Sequence, residues 1–189
     1  MLEYTLKAEP PLGGYERHFE GTSLREHREL AIVAVSIPLG EDTEVSAALG
    51  EAYGATLPDH GDSVVSQDGA TRILRFAANQ VFLLFTHAKP DAAQVVSERL
   101  KGTGYTVDQT DNWVGLSLSG SLARPALERI CAVNLHKDAF AIGRAERTVM
   151  EHLGAIIIRT GDDGFLLMSG SSSAESFLHA LETSLKYVS

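Results

Sequence analysis

The chain is poor in the residues that form cross-links and membrane anchors. Its 189 residues include a single cysteine, Cys131, which excludes an internal disulfide. Its longest apolar stretches, 30–39 and 155–158, fall far short of the ~20 residues that span a bilayer. The first ten residues mix acidic and basic side chains instead of showing a basic start and an apolar run, so we expect no export signal. These features predict a cytoplasmic protein.

Positive charge is also scarce. The chain carries 16 Lys and Arg against 25 Asp and Glu, a net charge of −9, and its basic residues are scattered. Phosphate backbones are therefore repelled, which excludes nucleic-acid binding. With 44% hydrophobic residues, a chain of this length can bury roughly 70% of its extended surface. The composition predicts one globular domain or two small ones that share a core.

The sequence motifs that hold cofactors or carry catalysis are missing. Neither G-x-G-x-x-G after a strand nor G-x-x-x-x-G-K-[ST] occurs, so flavin and NAD would lack their usual cradle. Cys131-x4-His136 is a weak zinc pattern, and a cysteine on an apolar helix stripe is typical of a small buried hydrophobe. Acidic pairs such as Asp162-Asp163 lie where turns and helix starts favour carboxylates. We predict no catalytic, cofactor-binding or metal-binding residue on this chain.

An internal duplication is the most informative feature present. Residues 31–37 alternate larger and smaller side chains, as expected for a strand with two unlike faces. A similar strand follows 81 residues later, with Gly115 and Ser117 on its small face. Residues 82–85 then match residues 165–168 with a shift of 83. The small residues suggest close approach of another layer.

The pattern of apolar and turn residues in each copy predicts the element order β-α-β-β-β-α. Polar turns separate the last strands as hairpins, and helices with apolar stripes follow the first and the last strand. This order predicts an α+β fold of two antiparallel sheets, each with its helices on one face. We expect the first repeat at residues 28–105 and the second at 106–189, in one compact body because each sheet has a second face to hide.

Residues 1–27 contain Pro10-Pro11 and Gly13-Gly14 and no sustained helix or strand period, which predicts an extended N-terminal arm. Its large side chains Tyr4, Tyr15 and Phe19 need a surface, either on this domain or on a partner. Trp113, the only tryptophan, follows two polar residues at the mouth of a strand and suits an interface or a core. Tyr4, Tyr15, Phe19 and Trp113 are therefore the candidate partner-interface residues.

Several short motifs, taken in their order and spacing, resemble the gamma subunit of heterotetrameric sarcosine oxidase. The resemblance covers roughly residues 24–189. Asn134 stands where that family often has Asp, and residues 77–81 replace a Gly-Pro-Asp-Glu-Trp-type turn. The motifs are Leu49-Gly50, Leu57-Pro58, Ile73-Leu74-Arg75-Phe76, Val81-Phe82-Leu83-Leu84, Asp111-x-Trp113, Ser119-Gly120, Ala123-Arg124, Cys131-x-x-x-Leu135 with Phe140 and Gly143, and Arg147-Thr148.

The resemblance implies a small, non-catalytic subunit whose fold is similar to the folate-binding part of the aminomethyltransferases. Its implied partners are the alpha, beta and delta subunits of a complex that oxidatively demethylates sarcosine to glycine and passes the one-carbon unit to tetrahydrofolate. FAD, FMN, NAD and tetrahydrofolate are implied for the partner subunits and none of them for this chain. Zinc would belong to a different small subunit.

Two other functions remain open from the sequence. A free-standing folate-binding or aminomethyltransferase-like protein resembles this architecture, but such transferases carry a Gly-rich turn and a catalytic Asp where this chain has Glu151-His152-Leu153-Gly154-Ala155. A generic dimerising module is the other. Isolated, the chain is expected to expose an apolar patch and to self-associate.

Overall fold

The computed structural model describes residues 9–189. Among these residues the helices are α1 Asp42–Tyr53, α2 Ala92–Arg99, α3 Ala123–Ile130 and α4 Ala174–Val188. None of the helices described there is both long enough and apolar enough to cross a membrane. The strands are β1 Glu16–Phe19, β2 Thr22–Glu26, β3 Leu30–Ser36, β4 Asp62–Val65, β5 Thr71–Ala77, β6 Gln80–Thr86, β7 Tyr105–Asp108, β8 Trp113–Gly120, β9 Ala145–Met150, β10 Leu153–Gly161 and β11 Gly164–Gly170.

From β3 onward the predicted order β-α-β-β-β-α is confirmed twice. Sheet 1 has the strand order β1-β2-β8-β11-β10-β9, and sheet 2 has the order β4-β5-β6-β3-β7. Neighbouring strands pair antiparallel in both sheets. The sheets are therefore built alike, with β8, β9, β10 and β11 in the places of β3, β4, β5 and β6.

Four layers result from the way these sheets are covered. Side chains of α1 and α2 share a buried cluster with one face of sheet 2, and those of α3 and α4 share another with sheet 1. The remaining faces pack against each other. This inter-sheet cluster consists of Ile32, Ala34, Leu74, Phe82, Leu84, Ala145, Ile156, Ile158, Leu166 and Met168.

The alternation within the central strands explains the layering. In β3, Val33 belongs to the helix-covered cluster of sheet 2 while Ala34 belongs to the inter-sheet cluster. In β8, a side chain at Gly115 would place its Cβ 2.6 Å from Cδ2 of Leu30. Glycine at this position therefore permits the close approach that the small-residue face suggests.

The predicted shift of 83 for the last strands is wrong by one residue. The turns of the two equivalent hairpins match when Gln80 corresponds to Gly164, a shift of 84. A shift of 83 aligns Phe82 with Phe165, but Phe82 lies in the inter-sheet cluster and Phe165 under the helices. A one-residue error exchanges the two faces of a strand. Residues 82–85 and 165–168 are each an unbroken run of large apolar residues, so no alternation within them indicates the correct alignment.

A repeated arginine confirms the structural correspondence. Both hairpins have an irregular register, between Arg75 and Ala77 in one and between Arg159 and Gly161 in the other. In each, the arginine Nε donates to the carbonyl two residues later and Nη2 to the carbonyl three residues later. Arg159 also donates to the carbonyl of Phe140 and is 6% exposed. The guanidinium satisfies carbonyls that the irregularity removes from the regular strand pairing.

The described part of the predicted arm is a β-hairpin. Strands β1 and β2 turn at Gly21, whose φ is +74°, and β2 pairs along β8 with Thr22 opposite Gly120. The buried Glu26 accepts hydrogen bonds from three backbone N–H groups of residues 12–15. Residues 16–26 are therefore not the extended arm that the sequence predicts. The free edge of β8 offers them main-chain partners, which local sequence patterns do not reveal.

Two strands cross between the halves. Strand β2 precedes β3 in the chain but pairs with β8 of the second half, and β7 precedes β8 but pairs with β3 of the first. Each sheet therefore contains a strand from the other side of a predicted boundary. The boundaries at residues 27 and 105 stay predictions about the sequence repeat, since the sheets interlock across them.

Candidate partner interface

Tyr15 joins the hairpin to the last helix. Its hydroxyl donates to Oε1 of Glu182 on α4 at 2.5 Å, and Nη1 of Arg17 donates to the same oxygen at 3.0 Å. Burial and the adjacent carboxylate raise the pKa of Tyr15 to about 12. The hydrogen bond from Tyr15 lowers the pKa of Glu182. Tyr15 thus stays neutral and Glu182 charged at neutral pH, as this contact requires.

Phe19 lies in the core of its own chain. Its exposed fraction is 8%, and it packs in the cluster formed by sheet 1 with α3 and α4. The guanidinium carbon of Arg17 lies 5.0 Å from the ring centroid. Tyr4, the other aromatic residue predicted for the interface, lies outside the described residues. A partner contact through the hairpin aromatics stays a prediction.

Trp113 begins β8 and is half-buried on the inter-sheet side. Its ring meets Phe82 of sheet 2 edge-on, with centroids 6.2 Å apart. The indole Nε1 is buried and has no hydrogen-bond partner within the part of the chain that the structure describes. A buried N–H without a hydrogen-bond partner costs about 1–3 kcal/mol of folding stability. Trp113 therefore lies on the opposite face of sheet 1 from Tyr15 and Phe19, and these three residues form no single patch.

A cleft beside Trp113 is lined mostly by residues of sheet 1. Its volume is about 460 Å³, and Trp113, Asn112, Arg147 and the backbone of Gly154 are among its lining groups. Arg147 also lines a second cleft of about 310 Å³ that includes Arg144. The guanidinium carbon of Arg147 lies 5.9 Å from the ring centroid of Phe76. This surface combines aromatic and basic groups, which suits an acidic or planar group of a partner or ligand.

Sequence reasoning did not identify this cleft as a site. In the sequence, Arg147 is recognisable only as part of a family motif, although its spacing of two residues from Ala145 along β9 places both on one side of the strand. The signal available was a basic residue at an inward position of an edge strand. The cleft itself depends on the pairing of β8, β9, β10 and β11 in sheet 1, which no local pattern encodes.

Burial also shifts the pKa of two groups away from these clefts, Cys131 and His27. Burial raises the pKa of the Cys131 thiol, which keeps it neutral. Nε2 of His27 lies 2.6 Å from Oγ of Ser117, and burial lowers the pKa of His27. Over residues 9–189 no group of three or more His, Cys, Asp or Glu side chains is placed to hold a metal ion.

No protein-family model matches the chain. Sarcosine oxidase subunit gamma of Corynebacterium sp. (strain P-1) is 27% identical over 135 residues, which are 71% of this chain and 66% of that protein. Sarcosine oxidase subunit gamma of an Arthrobacter species is 26% identical over the same shares. The matched segment thus spans just under two thirds of these relatives.

Solved structures show the fold. A chain of heterotetrameric sarcosine oxidase from Corynebacterium sp. U-96, in complex with pyrrole 2-carboxylate, superimposes with a TM-score of 0.76 and 23% identity, over 96% of this chain and 89% of that one. Glycine cleavage system aminomethyltransferase T from Bartonella henselae superimposes with a TM-score of 0.62 and 17% identity, over 85% of this chain and 45% of that one.

The predicted fold and the predicted resemblance are therefore both confirmed. The α+β fold is similar to that of aminomethyltransferase T over 85% of the chain and to that of a sarcosine oxidase chain over 96% of it. By sequence the chain is similar to sarcosine oxidase gamma subunits, and by fold it is similar to a chain of heterotetrameric sarcosine oxidase.

Proposed function

We propose that this chain is the small, non-catalytic structural subunit of a sarcosine oxidase complex. The observation that carries the proposal is the agreement of two comparisons: sequence similarity to three gamma subunits, and a structural match to heterotetrameric sarcosine oxidase over 96% of the chain. The proposed complex oxidatively demethylates sarcosine to glycine and transfers the one-carbon unit to tetrahydrofolate. FAD, FMN, NAD and tetrahydrofolate would then reside on the larger subunits.

The placement of charged groups supports a scaffolding role. Glu26 and Arg159, both nearly inaccessible, are committed to backbone groups of this chain. Glu182 is committed to the hairpin. Such groups hold secondary-structure elements together and leave the surfaces around Trp113 and Arg147 for contacts with larger subunits.

Co-expression with the neighbouring genes tests the proposal. Tagged chain should recover larger subunits whose absorption spectrum shows bound flavin, in a stable complex on size-exclusion chromatography. An untagged culture serves as the control for non-specific recovery. A chain that elutes alone from this co-expression contradicts the proposed function.

A free-standing folate-binding protein is the second candidate, and the cleft beside Trp113 favours it. The fold matches aminomethyltransferase T with a TM-score of 0.62, and the cleft has the size of small-molecule sites. Titration of the isolated chain with tetrahydrofolate, followed by the fluorescence of its only tryptophan, distinguishes the two. Saturable binding at micromolar ligand supports the second candidate, and an unchanged spectrum removes it.

A further inference from the structure

Strand β7 forms an open edge of sheet 2. The N–H of Gln109, directly after the strand, donates to the carbonyl of Ile32 at 2.8 Å. Backbone groups alternate in direction along an antiparallel pair. The N–H groups of Tyr105 and Val107 therefore face β3, and those of Thr106 and Asp108 face outward. In residues 9–189 no strand pairs along this outer side.

The same edge exposes two large apolar side chains. Tyr105 is 71% exposed and Val107 is 51% exposed. Side chains two residues apart in a strand lie on one side, so these two form a continuous apolar strip. Edge strands are usually protected by charge, proline, a bulge or a covering element. In β7 the only charged side chain is Asp108, at its end.

The internal duplication indicates what covers such an edge. In sheet 1, β2 takes the place that β7 takes in sheet 2, because β2 lies beside β8 and β7 beside β3. Strand β1 pairs antiparallel along the outer side of β2, with His18 opposite Ser23. Sheet 2 has no counterpart of β1 among the described residues. The missing element is one antiparallel strand.

We propose that the outer edge of β7 receives an extended, antiparallel segment of a larger subunit of the complex. This inference rests on the proposed function. The segment offers main-chain acceptors to the N–H groups of Thr106 and Asp108, apolar side chains to Tyr105 and Val107, and a basic side chain to the exposed carboxylate of Asp108. Main-chain hydrogen bonds supply the binding and the alternating side chains supply the selectivity.

Charge and area favour a larger subunit over a second copy of this chain. Two copies each carry a net charge of −9, and pairing β7 with itself brings two copies of Asp108 to one short edge. An edge of four residues buries much less surface than the ~800 Å² per partner of a stable interface. A larger subunit can add contacts around the strand that a symmetric pair of short edges does not provide.

Thr106→Pro tests the proposal without disturbing β3. Proline removes an N–H that faces outward, and prolines are tolerated at such edge positions. Val65→Pro is the matched control, because Val65 lies on β4, the opposite edge of sheet 2. Its N–H also faces outward, since the next residue, Ser66, donates to the carbonyl of Thr71. Thermal unfolding of both variants verifies that each folds.

In co-expression, T106P should recover the larger subunits about tenfold less efficiently than the wild type, a reduction typical of lost interface hydrogen bonds. V65P should recover them normally. If the wild type and T106P recover flavin-containing partners equally, the inference fails while the proposed function stands. If the wild type recovers none, the proposed function fails and the inference with it.

Hydrogen exchange at residue resolution provides a measurement that needs no variant. The amides of Thr106 and Asp108 should exchange freely in the isolated chain and about tenfold or more slowly in the complex. Protection already present in the isolated chain overturns the inference. Protection that depends on protein concentration would assign the edge to a second copy, and protection lost on deletion of residues 1–8 would assign it to this chain.

Discussion

Glu26 is the residue that ties the start of the described chain to sheet 1. It is 2% exposed, and its carboxylate accepts hydrogen bonds from the N–H groups of Leu12, Gly14 and Tyr15. A carboxylate can accept several bonds at once, which suits a segment whose prolines and glycines form little regular structure. A buried acid at the end of β2 is thus a structural element here.

Glu26→Gln should destabilise the protein by about 1–3 kcal/mol, because the amide replaces one acceptor oxygen with donors that face other donors. Equilibrium urea unfolding measures the loss. Glu20→Gln, at an exposed position on the hairpin turn, should change stability by less than about 0.5 kcal/mol. Equal effects at the two positions would show that the buried carboxylate does not hold residues 12–15.

His27 gives the fold a specific dependence on pH. Burial and the nearby charge of Arg25 lower its pKa in the folded state below the ordinary value near 6.5. Its stabilising contribution is therefore complete above about pH 6.5 and is lost as the pH falls from there through the lowered folded-state value. Urea unfolding between about pH 7 and pH 5 should show this decline in the wild type.

His27→Gln should remove that part of the decline, because the amide keeps a polar group near Ser117 but does not titrate in this range. His18→Gln is the control, since His18 is exposed on β1. A pH profile of H27Q that parallels the wild type would assign the decline to other groups.

At the scale of elements, the sequence predicts local structure well and pairing poorly. The helix with an apolar stripe that the sequence predicts after the last strand is α4, and its buried face includes Phe177, Leu181 and Leu185. The sequence does not predict strand β7, because it has only four residues and three of its side chains are exposed. The exchange of β2 and β7 between the sheets depends on contacts distant in sequence. Gly21, at the turn of the first hairpin, was the one local signal for β1 and β2.

The candidate interface shows the same division. The sequence identified Trp113 and the hairpin aromatics by type, since large amphipathic side chains on weakly structured segments need a surface. It did not indicate that Phe19 is buried within its own chain or that Arg147 lies beside the same cleft as Trp113. Burial and juxtaposition follow from sheet packing, which a pattern of residue types does not specify.

Gly120 controls how the hairpin docks on β8. Its φ is +126°, and a Cβ at this position would overlap the carbonyl oxygen of Gly21 and lie 2.6 Å from Cα of Thr22. Gly120→Ala should therefore destabilise the protein by about 2–4 kcal/mol, since the backbone of β2 must move. Gly50→Ala, in α1 where a Cβ meets nothing within 4 Å, should stabilise it by about 0.5–1 kcal/mol.

Thermal and urea unfolding of both glycine variants measure these changes. Hydrogen exchange of β2 amides locates the effect of Gly120→Ala, which should open the hairpin before the rest of sheet 1. A G120A variant as stable as the wild type would mean that the hairpin is not held in the described register.

At the scale of the whole molecule, three features make the two halves one unit. The inter-sheet cluster draws side chains from both sheets, β2 and β7 cross between them, and Arg144 donates to Asp62 across the halves at 2.9 Å. The N–H of Ser63 also donates to the carbonyl of Gly143. Neither half can bury its inner sheet face alone, so we expect unfolding in a single transition.

Leu74→Ala tests that expectation, because Leu74 is fully buried between the sheets. The cavity should cost about 2–5 kcal/mol, whereas Ile142→Ala, at a residue 57% exposed, should cost much less. Although Leu74 lies in sheet 2, the loss should accelerate hydrogen exchange equally at the most protected amides of β6 and β11, since both open only on global unfolding. Far-ultraviolet circular dichroism and Trp113 fluorescence should give coincident urea transitions for the wild type and for L74A. An acceleration confined to β6, or a second transition, would show that the sheets unfold separately and that the duplicated halves are independent domains.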